Sequence, residues 1–522
     1  MAFCATAVLI IGVLANSKLS STEWPSLSFW IVGAAFLPWI QWVVGVSFFA
    51  GDALMVSYFL VGWACAIFIG FQLSDEHSQL STLALMHMLW MAAVLSAMVG
   101  LLQWLKLEGS VGLYVAQTDV DDPAMGNMAQ PNQLATLLLM GIVAYGYVFE
   151  RRIIGSFTFV LGIFVMTAVL VVTHSRAGIL GVLVVSSFFF LKAKPFNSRL
   201  TGKAVLVWTL LFILANIISP AIDGALMLNT EREPLFTANG RILIWTQAQH
   251  GILASPWFGY GWNQTFTALA VGSVAHPGEM FFTYAHNVLV DILAWNGVPM
   301  GLILIGLGGY WFLSRLYRVT TLDGTYAMAC LLPFTLHSLV EFPFAYAYFL
   351  IAAGLMMGVV EKSMVSTKTW HVNRLWSGTA LVSWMIVGGC IAYEYLLIEE
   401  DVRVTRFENL RVGVTDNAYH VPTISLLSHM ATMQRASRQQ PVLNMTVSQL
   451  DDMRRAVLRF PHGGLALRYA MALGLNGDPT GAHHMMVVIR SVYGSVFFSR
   501  AKIVWHEQSE KYPVLSTVQI DD

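Results

Sequence analysis

The sequence predicts an all-α, polytopic membrane helix bundle of about twelve spanning helices, taking ~20 apolar residues per crossing. It adds a large periplasmic loop and a C-terminal helical domain. Three observations carry that expectation. Hydrophobic residues fill 56% of the 522 positions and charged residues only 11%, whereas a soluble domain carries about a quarter charged. Lys and Arg recur in alternate connectors between the apolar runs rather than in all of them. After about residue 398, continuous apolarity gives way to helical periodicity with charges restored, as at Glu399, Glu400, Asp401, Arg403 and Arg406.

The apolar segments run near 2–16, 28–48, 53–73, 82–104, 132–150, 153–173, 177–192, 203–220, 288–314, 325–341, 344–361 and 377–397. Positive connectors occur at Arg151-Arg152, Lys192 to Lys203, Arg315 to Arg318 and Lys362 to Arg374. Such connectors mark the cytoplasmic side. The intervening ones are acidic or neutral: Glu108 to Asp122, His174 to Arg176, Asp223 to Ala285 and Glu341 to Ala345. The alternation places 221–285 and everything after about residue 398 on the opposite, periplasmic side. Counted backwards, it places Lys18 inside and Met1 outside, and an outside terminus starting in an apolar run suggests a further helix upstream.

Other classes are excluded early. A net charge of -1 lacks the clustered basic surface that nucleic acid requires. Cys4, Cys65, Cys330 and Cys390 all lie in apolar runs, too scattered for a disulfide framework or a zinc site. No signal-peptide cleavage pattern stands apart from the first apolar segment.

The chain divides into a membrane part, 1–397, and a periplasmic helical part, 398–522. In the second, a helix over 446–460 ends at Phe460-Pro461-His462-Gly463. A second, 464–475, ends at Asn476-Gly477-Asp478-Pro479, where a third begins. Helix–turn–helix units of that length match a degenerate tetratricopeptide array, and a plain helical appendage accounts for them equally well.

Polar residues at membrane depth are costly and mark function, and five groups lie on the periplasmic side. In Gly126-Asn127-Met128-Ala129-Gln130-Pro131-Asn132, Pro131 suits a helix's first turn. Gln130 and Asn132 can then donate to a sugar or phosphate, or simply cap the helix. His174-Ser175-Arg176 is a tight turn whose Arg176 calls for an anion or for lipid headgroups. The loop 221–285 holds Arg232, Asn239-Gly240-Arg241, Trp245 and Pro256-Trp257-Phe258-Gly259-Tyr260-Gly261-Trp262-Asn263, whose aromatics suit sugar stacking or interfacial anchoring. Tyr284-Ala285-His286-Asn287 opens a returning helix. There the macrodipole disfavours imidazolium and keeps His286 neutral, as a general base must be; capping is the alternative. Last, His337 and Glu341 sit four apart on one expected helical face before Pro343. No compact ligand set such as H-E-x-x-H accompanies them, so no metal is expected.

Taken in order, these motifs resemble those of bacterial protein (pilin-type) O-oligosaccharyltransferases, in the O-antigen ligase superfamily, over about residues 28–522. The residues concerned are Gly126 to Asn132, Ser175-Arg176, Arg241 with Trp245, Phe258 to Asn263, Ala285-His286-Asn287, and His337-Ser338 through Pro343. The resemblance implies transfer of a whole glycan from undecaprenyl diphosphate to a hydroxyl of a periplasmic acceptor protein such as a pilin, without a nucleotide, metal or other cofactor. It implies that His286 activates or positions the acceptor hydroxyl and that Arg176 and Arg241 hold the diphosphate. Gln130, Asn132, His174, Tyr284, Asn287, His337 and Glu341 support the site. Relatives often carry a histidine where this chain has Tyr284, so a single base is the simpler reading here.

Three rivals remain at this level. Lipopolysaccharide O-antigen ligase and O-antigen polymerase share the chemistry and differ in acceptor. A lipid-linked-glycan transporter belongs to another class, but transporters carry internal repeats and midplane ionisable residues. This chain shows no repeat and gathers its polar motifs at one membrane face.

Overall fold

The computed structural model describes residues 21–74, 79–119, 122–192, 199–226, 228, 239–365, 367–410, 412 and 419–520. The first expected span, 2–16, and Arg232 lie outside the described residues. Within them the chain is helical almost throughout. The helices are α1 (Ser26–Ala34), α2 (Leu37–Val43), α3 (Ala50–Leu73), α4 (Gln79–Trp104), α5 (Pro131–Glu150), α6 (Ser156–Val172), α7 (Arg176–Lys192), α8 (Gly202–Ala225) and α9 (Asn239–Ala254). They continue with α10 (Thr265–Ser273), α11 (Val288–Arg318), α12 (Leu322–Ser338), α13 (Ala347–Lys362), α14 (Arg374–Leu410), α15 (Ser428–Arg438), α16 (Val447–Arg459), α17 (Gly463–Leu475) and α18 (Pro479–Lys511).

Among the described residues, 7 segments are long and apolar enough to cross a membrane: 26–43, α3, residues 82–104, α5, α8, α11 and α14. Each coincides with an expected span. Four further expected spans are the shorter helices α6, α7 and α12, of 17 residues each, and α13, of 16. At 1.5 Å per residue these reach only ~24–26 Å, short of the ~30 Å hydrocarbon core, so length alone does not return about twelve crossings. Charged residues bound α7 at both ends, Arg176 and Lys192.

One small sheet interrupts the helices and was not expected. Strand β1 (Ser21–Pro25) pairs antiparallel with β2 (Thr369–Asn373), with Glu23 opposite His371. Trp24 locks it in place, stacking on Phe68 at 4.0 Å and donating from Nε1 to Ser377 Oγ at 2.9 Å.

The described residues pack as two compact units: those within 1–31, 62–237 and 309–381 in one, and those within 32–61, 238–308 and 382–522 in the other. In the first, α5 is buried on every side from Gln133 to Phe149 and packs against α4, α6, α7 and α12. A helix apolar all round has to be enclosed in this way.

Hydrogen bonds sort the connectors of this first unit into two sets. In one, Arg151 pairs with Asp323, and the backbone N–H groups of Arg199 and Leu200 donate to Glu150 at 2.9 and 2.7 Å. Lys192 donates to Tyr317 O and Val319 O at 2.7 and 2.9 Å, and Arg315 Nε donates to Glu361 at 2.8 Å. In the other set, Gln103 joins Gly126, Trp104 donates to Asp223, and Tyr348 donates to Gln133. The first set is the Lys/Arg-rich one.

In the second unit α11 is broken. Gly297 has φ 72° and ψ 173°, so the single span expected over 288–314 is two helical stretches, with Pro299 starting the longer one. The loop Pro256–Gly261 fastens to the break: Val298 N donates to Pro256 O at 2.7 Å and Tyr260 N to Ala294 O at 2.8 Å. Helices α15 to α18 share a core that includes Met453, Tyr469, Ile489 and Trp505. This core is continuous with the loop region of the same unit through α10, which packs on α16 and α18. Arg459 of α16 also forks onto the buried carboxylate of Asp52 at 2.9 to 3.1 Å.

Candidate active site

The first unit carries Gln130, Asn132, His174, Arg176, His337 and Glu341. Pro131 opens α5 as the sequence predicts, and Gln130 is its N-cap, its side-chain oxygen accepting from Gln133 N at 2.6 Å. That oxygen is committed to capping. Asn132 differs: its Oδ1 accepts from Ser175 Oγ at 2.6 Å, and Ser175 Oγ accepts from Gly178 N at 2.9 Å in the first turn of α7. Thr136 Oγ1 donates to Asn132 O at 3.0 Å and lies 2.9 Å from His337 Nδ1. With the hydroxyl proton given to the carbonyl, the imidazole must be the donor in that second bond. One hydrogen-bonded line therefore runs from His337 through Thr136 and Asn132 to Ser175, joining three motifs far apart in sequence and fixing the backbone that carries Arg176.

His174 precedes this turn in a left-handed backbone, φ 50°. Its Nε2 lies 3.6 Å from Asp223 Oδ2, and Asp223 Oδ1 accepts from Trp104 Nε1 at 3.1 Å. Glu341 does not share a helical face with His337, because α12 ends at Ser338. Pro343 disfavours helical backbone just before it, and Phe342 sits at φ -123°, ψ 46°. The Glu341 N–H still donates to His337 O at 2.8 Å, and the carboxylate is buried.

The second unit carries Arg241, Tyr284, His286 and Asn287. The returning helix begins at Val288, so His286 lies just outside it and Asn287 is the capping residue: Asn287 Oδ1 accepts from Leu289 N at 2.9 Å. His286 has φ 54°, a strained conformation for a residue with a Cβ. Its Nδ1 is 3.1 Å from Tyr284 O. A carbonyl only accepts, so Nδ1 is the donor in that bond. The adjoining Ala285 is held through both of its peptide groups. Its N–H donates to Asp291 Oδ1 at 2.9 Å and its carbonyl accepts from Trp245 Nε1 at 2.9 Å.

Arg176 is the first residue of α7 and Arg241 the third of α9, and neither helix has an acidic residue in its first turn. A cation at the positive end of a helix is electrostatically unfavourable. The same place, rich in N–H donors, favours an anion.

The aromatics of 256–263 divide in two. Trp257 and Phe258 are exposed at 70% and 72%. Tyr260 donates to Gly251 O at 2.8 Å, burial raises its pKa and keeps the hydroxyl protonated, and Trp262 stacks on Trp295 at 4.9 Å. Half of this motif is thus scaffold rather than sugar-stacking surface.

Of the seven non-glycine residues with positive φ among the described residues, Ala129, His174, Asn263 and His286 fall in motifs singled out by sequence. Such strain gathers where the surrounding structure imposes it for function. The sequence reading missed Gln103, Thr136, Asp223, Thr265 and Asp291. Gln103 is nearly inaccessible and grips the Gly126 loop, accepting from Met125 N and Gly126 N at 3.1 and 2.7 Å and donating to Ala116 O and Gly126 O at 2.9 and 3.1 Å. A lone amide or carboxylate in an apolar run was the available signal for Gln103, Asp223 and Asp291.

Comparison with known proteins agrees with the motif order. The family described as "O-Antigen ligase" matches residues 161–305, "Protein glycosylation ligase" matches 124–149, and "Virulence factor membrane-bound polymerase, C-terminal" matches 325–508. A "General O-oligosaccharyltransferase" of Acinetobacter baylyi is 26% identical over 356 residues, 65% of this chain and 61% of the relative. A "ComP-specific O-oligosaccharyltransferase" of the same organism is 25% identical over 381 residues, 70% of this chain and 68% of the relative. The chain thus spans about three fifths of the first relative's length. It is similar to O-oligosaccharyltransferases and to the O-antigen ligase superfamily.

Proposed function

We propose that this chain is an inner-membrane O-oligosaccharyltransferase that moves a glycan en bloc, with inversion, from undecaprenyl diphosphate to serine or threonine hydroxyls of periplasmic proteins such as a pilin. The observation that carries the reading is His286. It has a left-handed backbone, a preceding residue tethered through its N–H and its carbonyl, and a ring held by Nδ1 donating to Tyr284 O, as expected of a side chain fixed to act on an acceptor hydroxyl. Undecaprenyl diphosphate as donor, a pilin as acceptor, about twelve crossings and a tetratricopeptide-like C-terminal stack are parts of the same proposal.

The chemistry follows from the charges. The leaving group is a lipid diphosphate, and its developing negative charge needs fixed cations. A guanidinium fork matches phosphate geometry, so Arg176 and Arg241 are assigned to the diphosphate. His286 removes or orients the acceptor proton. In-line attack on the anomeric carbon inverts it. Gln130, Asn132, His174, Tyr284, Asn287, His337 and Glu341 hold these groups or the sugar.

The periplasmic assignment rests on the Lys/Arg-poor set of connectors, where the motifs of the first unit lie. The test is in cells at matched protein level. Deletion should strip glycan from a periplasmic protein, and His286→Ala should fail to restore it. Loss of O-antigen from lipopolysaccharide with protein glycans intact would favour a ligase acting on lipid A-core instead. Retention of anomeric configuration by NMR would contradict the mechanism.

A further inference from the structure

We infer that Asp291 is a positioning residue for His286, and that the Phe258–Asn263 motif acts on His286 through it. The inference rests on the role proposed above for His286. Asp291 is the fourth residue of α11 and its side chain is inaccessible. Oδ1 accepts twice, from Ala285 N at 2.9 Å and from Thr265 Oγ1 at 2.8 Å. Oδ2 has no hydrogen-bond partner among the described residues. A buried carboxylate oxygen left unmatched is costly, and each such group asks for a reason. An apolar side chain of similar size would fill the space without that cost, so filling space does not explain the carboxylate.

The reason lies in the residue it tethers. Left-handed backbone at a residue with a Cβ persists only where neighbours over-determine it. His286 adopts it at φ 54°, and both peptide groups of the preceding Ala285 are pinned: Asp291 accepts from the N–H of the Tyr284–Ala285 peptide and Trp245 donates to the carbonyl of the Ala285–His286 peptide. Removal of the Asp291 bond frees the Tyr284–Ala285 peptide to rotate, and with it the Tyr284 carbonyl that holds His286 Nδ1, so the ring loses its anchor and His286 can relax towards ordinary φ.

The line continues behind Asp291. Trp295 Nε1 donates to Thr265 Oγ1 at 2.7 Å, Trp262 stacks on Trp295 at 4.9 Å, and Trp262 N donates to Gln41 Oε1 at 3.1 Å. The Phe258–Asn263 segment thus reaches His286 through Trp295, Thr265 and Asp291, which gives a physical role to an aromatic motif that touches no substrate in this line.

The test combines hydrogen exchange with transfer kinetics on the full-length protein in detergent. In Asp291→Ala, amides of the 282–290 peptide should exchange about tenfold faster, as expected for loss of one buried hydrogen bond, while peptides of α17 and α18 keep wild-type rates. Asp291→Asn retains an acceptor for Ala285 N–H and should recover most of that protection. The same pattern should appear in kcat, falling in Asp291→Ala with the donor KM unmoved and rising again in Asp291→Asn. If Asp291→Ala does not fold, Thr265→Val removes one Oδ1 partner and is read the same way. Unchanged exchange at 282–290, an asparagine variant as impaired as alanine, or a change confined to KM would overturn the inference. Absence of transfer by the wild-type chain would remove the proposed function instead, and leave the exchange result to decide Asp291.

Discussion

Arg176 stands at the positive end of a helix dipole, where a cation is least at ease. Its backbone is nonetheless fixed by Ser175, Asn132, Thr136 and His337. Expenditure of that order on one guanidinium makes sense if an anion arrives to be bound. Stabilisation of developing charge by preorganised groups is usually the largest single contribution in such reactions, ahead of the positioned proton transfer that a general base supplies. With a diphosphate leaving group the cation should matter at least as much as the base. Arg176→Ala should therefore lower the transfer rate at least as far as His286→Ala. Arg176→Lys should restore only part of it, since an ammonium keeps the charge and loses the fork. Rates of purified variants on a lipid-linked glycan and an acceptor protein decide this, and wild-type transfer by Arg176→Ala would end the diphosphate assignment for that residue.

At the scale of elements, the break in α11 is what sets the second unit's motifs apart from its apolar run. Two glycines face each other there. A Cβ on Gly297 would lie 2.5 Å from Trp257 backbone, and one on Gly259 would lie 2.5 Å from Ala294 O. Both also have positive φ. Gly297→Ala should therefore cost on the order of 2–4 kcal/mol, the sum of a strained φ and a backbone clash, read as a lower midpoint in thermal unfolding of the detergent-solubilised protein. An unshifted midpoint would mean that the loop is not locked to the break. The sequence hid this feature because the apolar run 288–314 continues across it, although Pro299 was a readable hint. Where punctuation is explicit the sequence is legible to a residue or two. Thr446 and Gln449 form a capping box at the start of α16, and Phe460-Pro461 and Asn476-Gly477-Asp478-Pro479 separate α16, α17 and α18. The β1–β2 pairing was not legible, since five residues on each strand carry no local signal for a partner some 350 positions away. Likewise the motif residues could be named from sequence. The buried groups that hold them, Gln103, Thr136 and Asp291, looked like single polar residues in lipid-facing runs, because burial is a property of the packed bundle.

For the whole molecule the question is which face of the membrane the motifs of the first unit occupy. Two independent lines meet on it. Charge bias assigns Arg151-Arg152, Lys192 to Lys203, Arg315 to Arg318 and Lys362 to Arg374 to one side. Hydrogen bonds tie those same connectors together, through Arg151 with Asp323, Lys192 with Tyr317 and Val319, and Arg315 with Glu361. The bonding says which connectors share a side, and the proposed topology takes the charge bias to make that side cytoplasmic. Ser110 and Gly155 are both exposed and belong to opposite sets. In intact cells, Ser110→Cys should react with a membrane-impermeant maleimide and Gly155→Cys should react only after permeabilisation, with the unaltered chain controlling for native cysteines. The reverse pattern would invert the bundle and put Asn132, Ser175 and Arg176 beside the cytoplasm. A periplasmic acceptor could not reach them there, so the proposed substrate would fall even if every side-chain contact described above were correct.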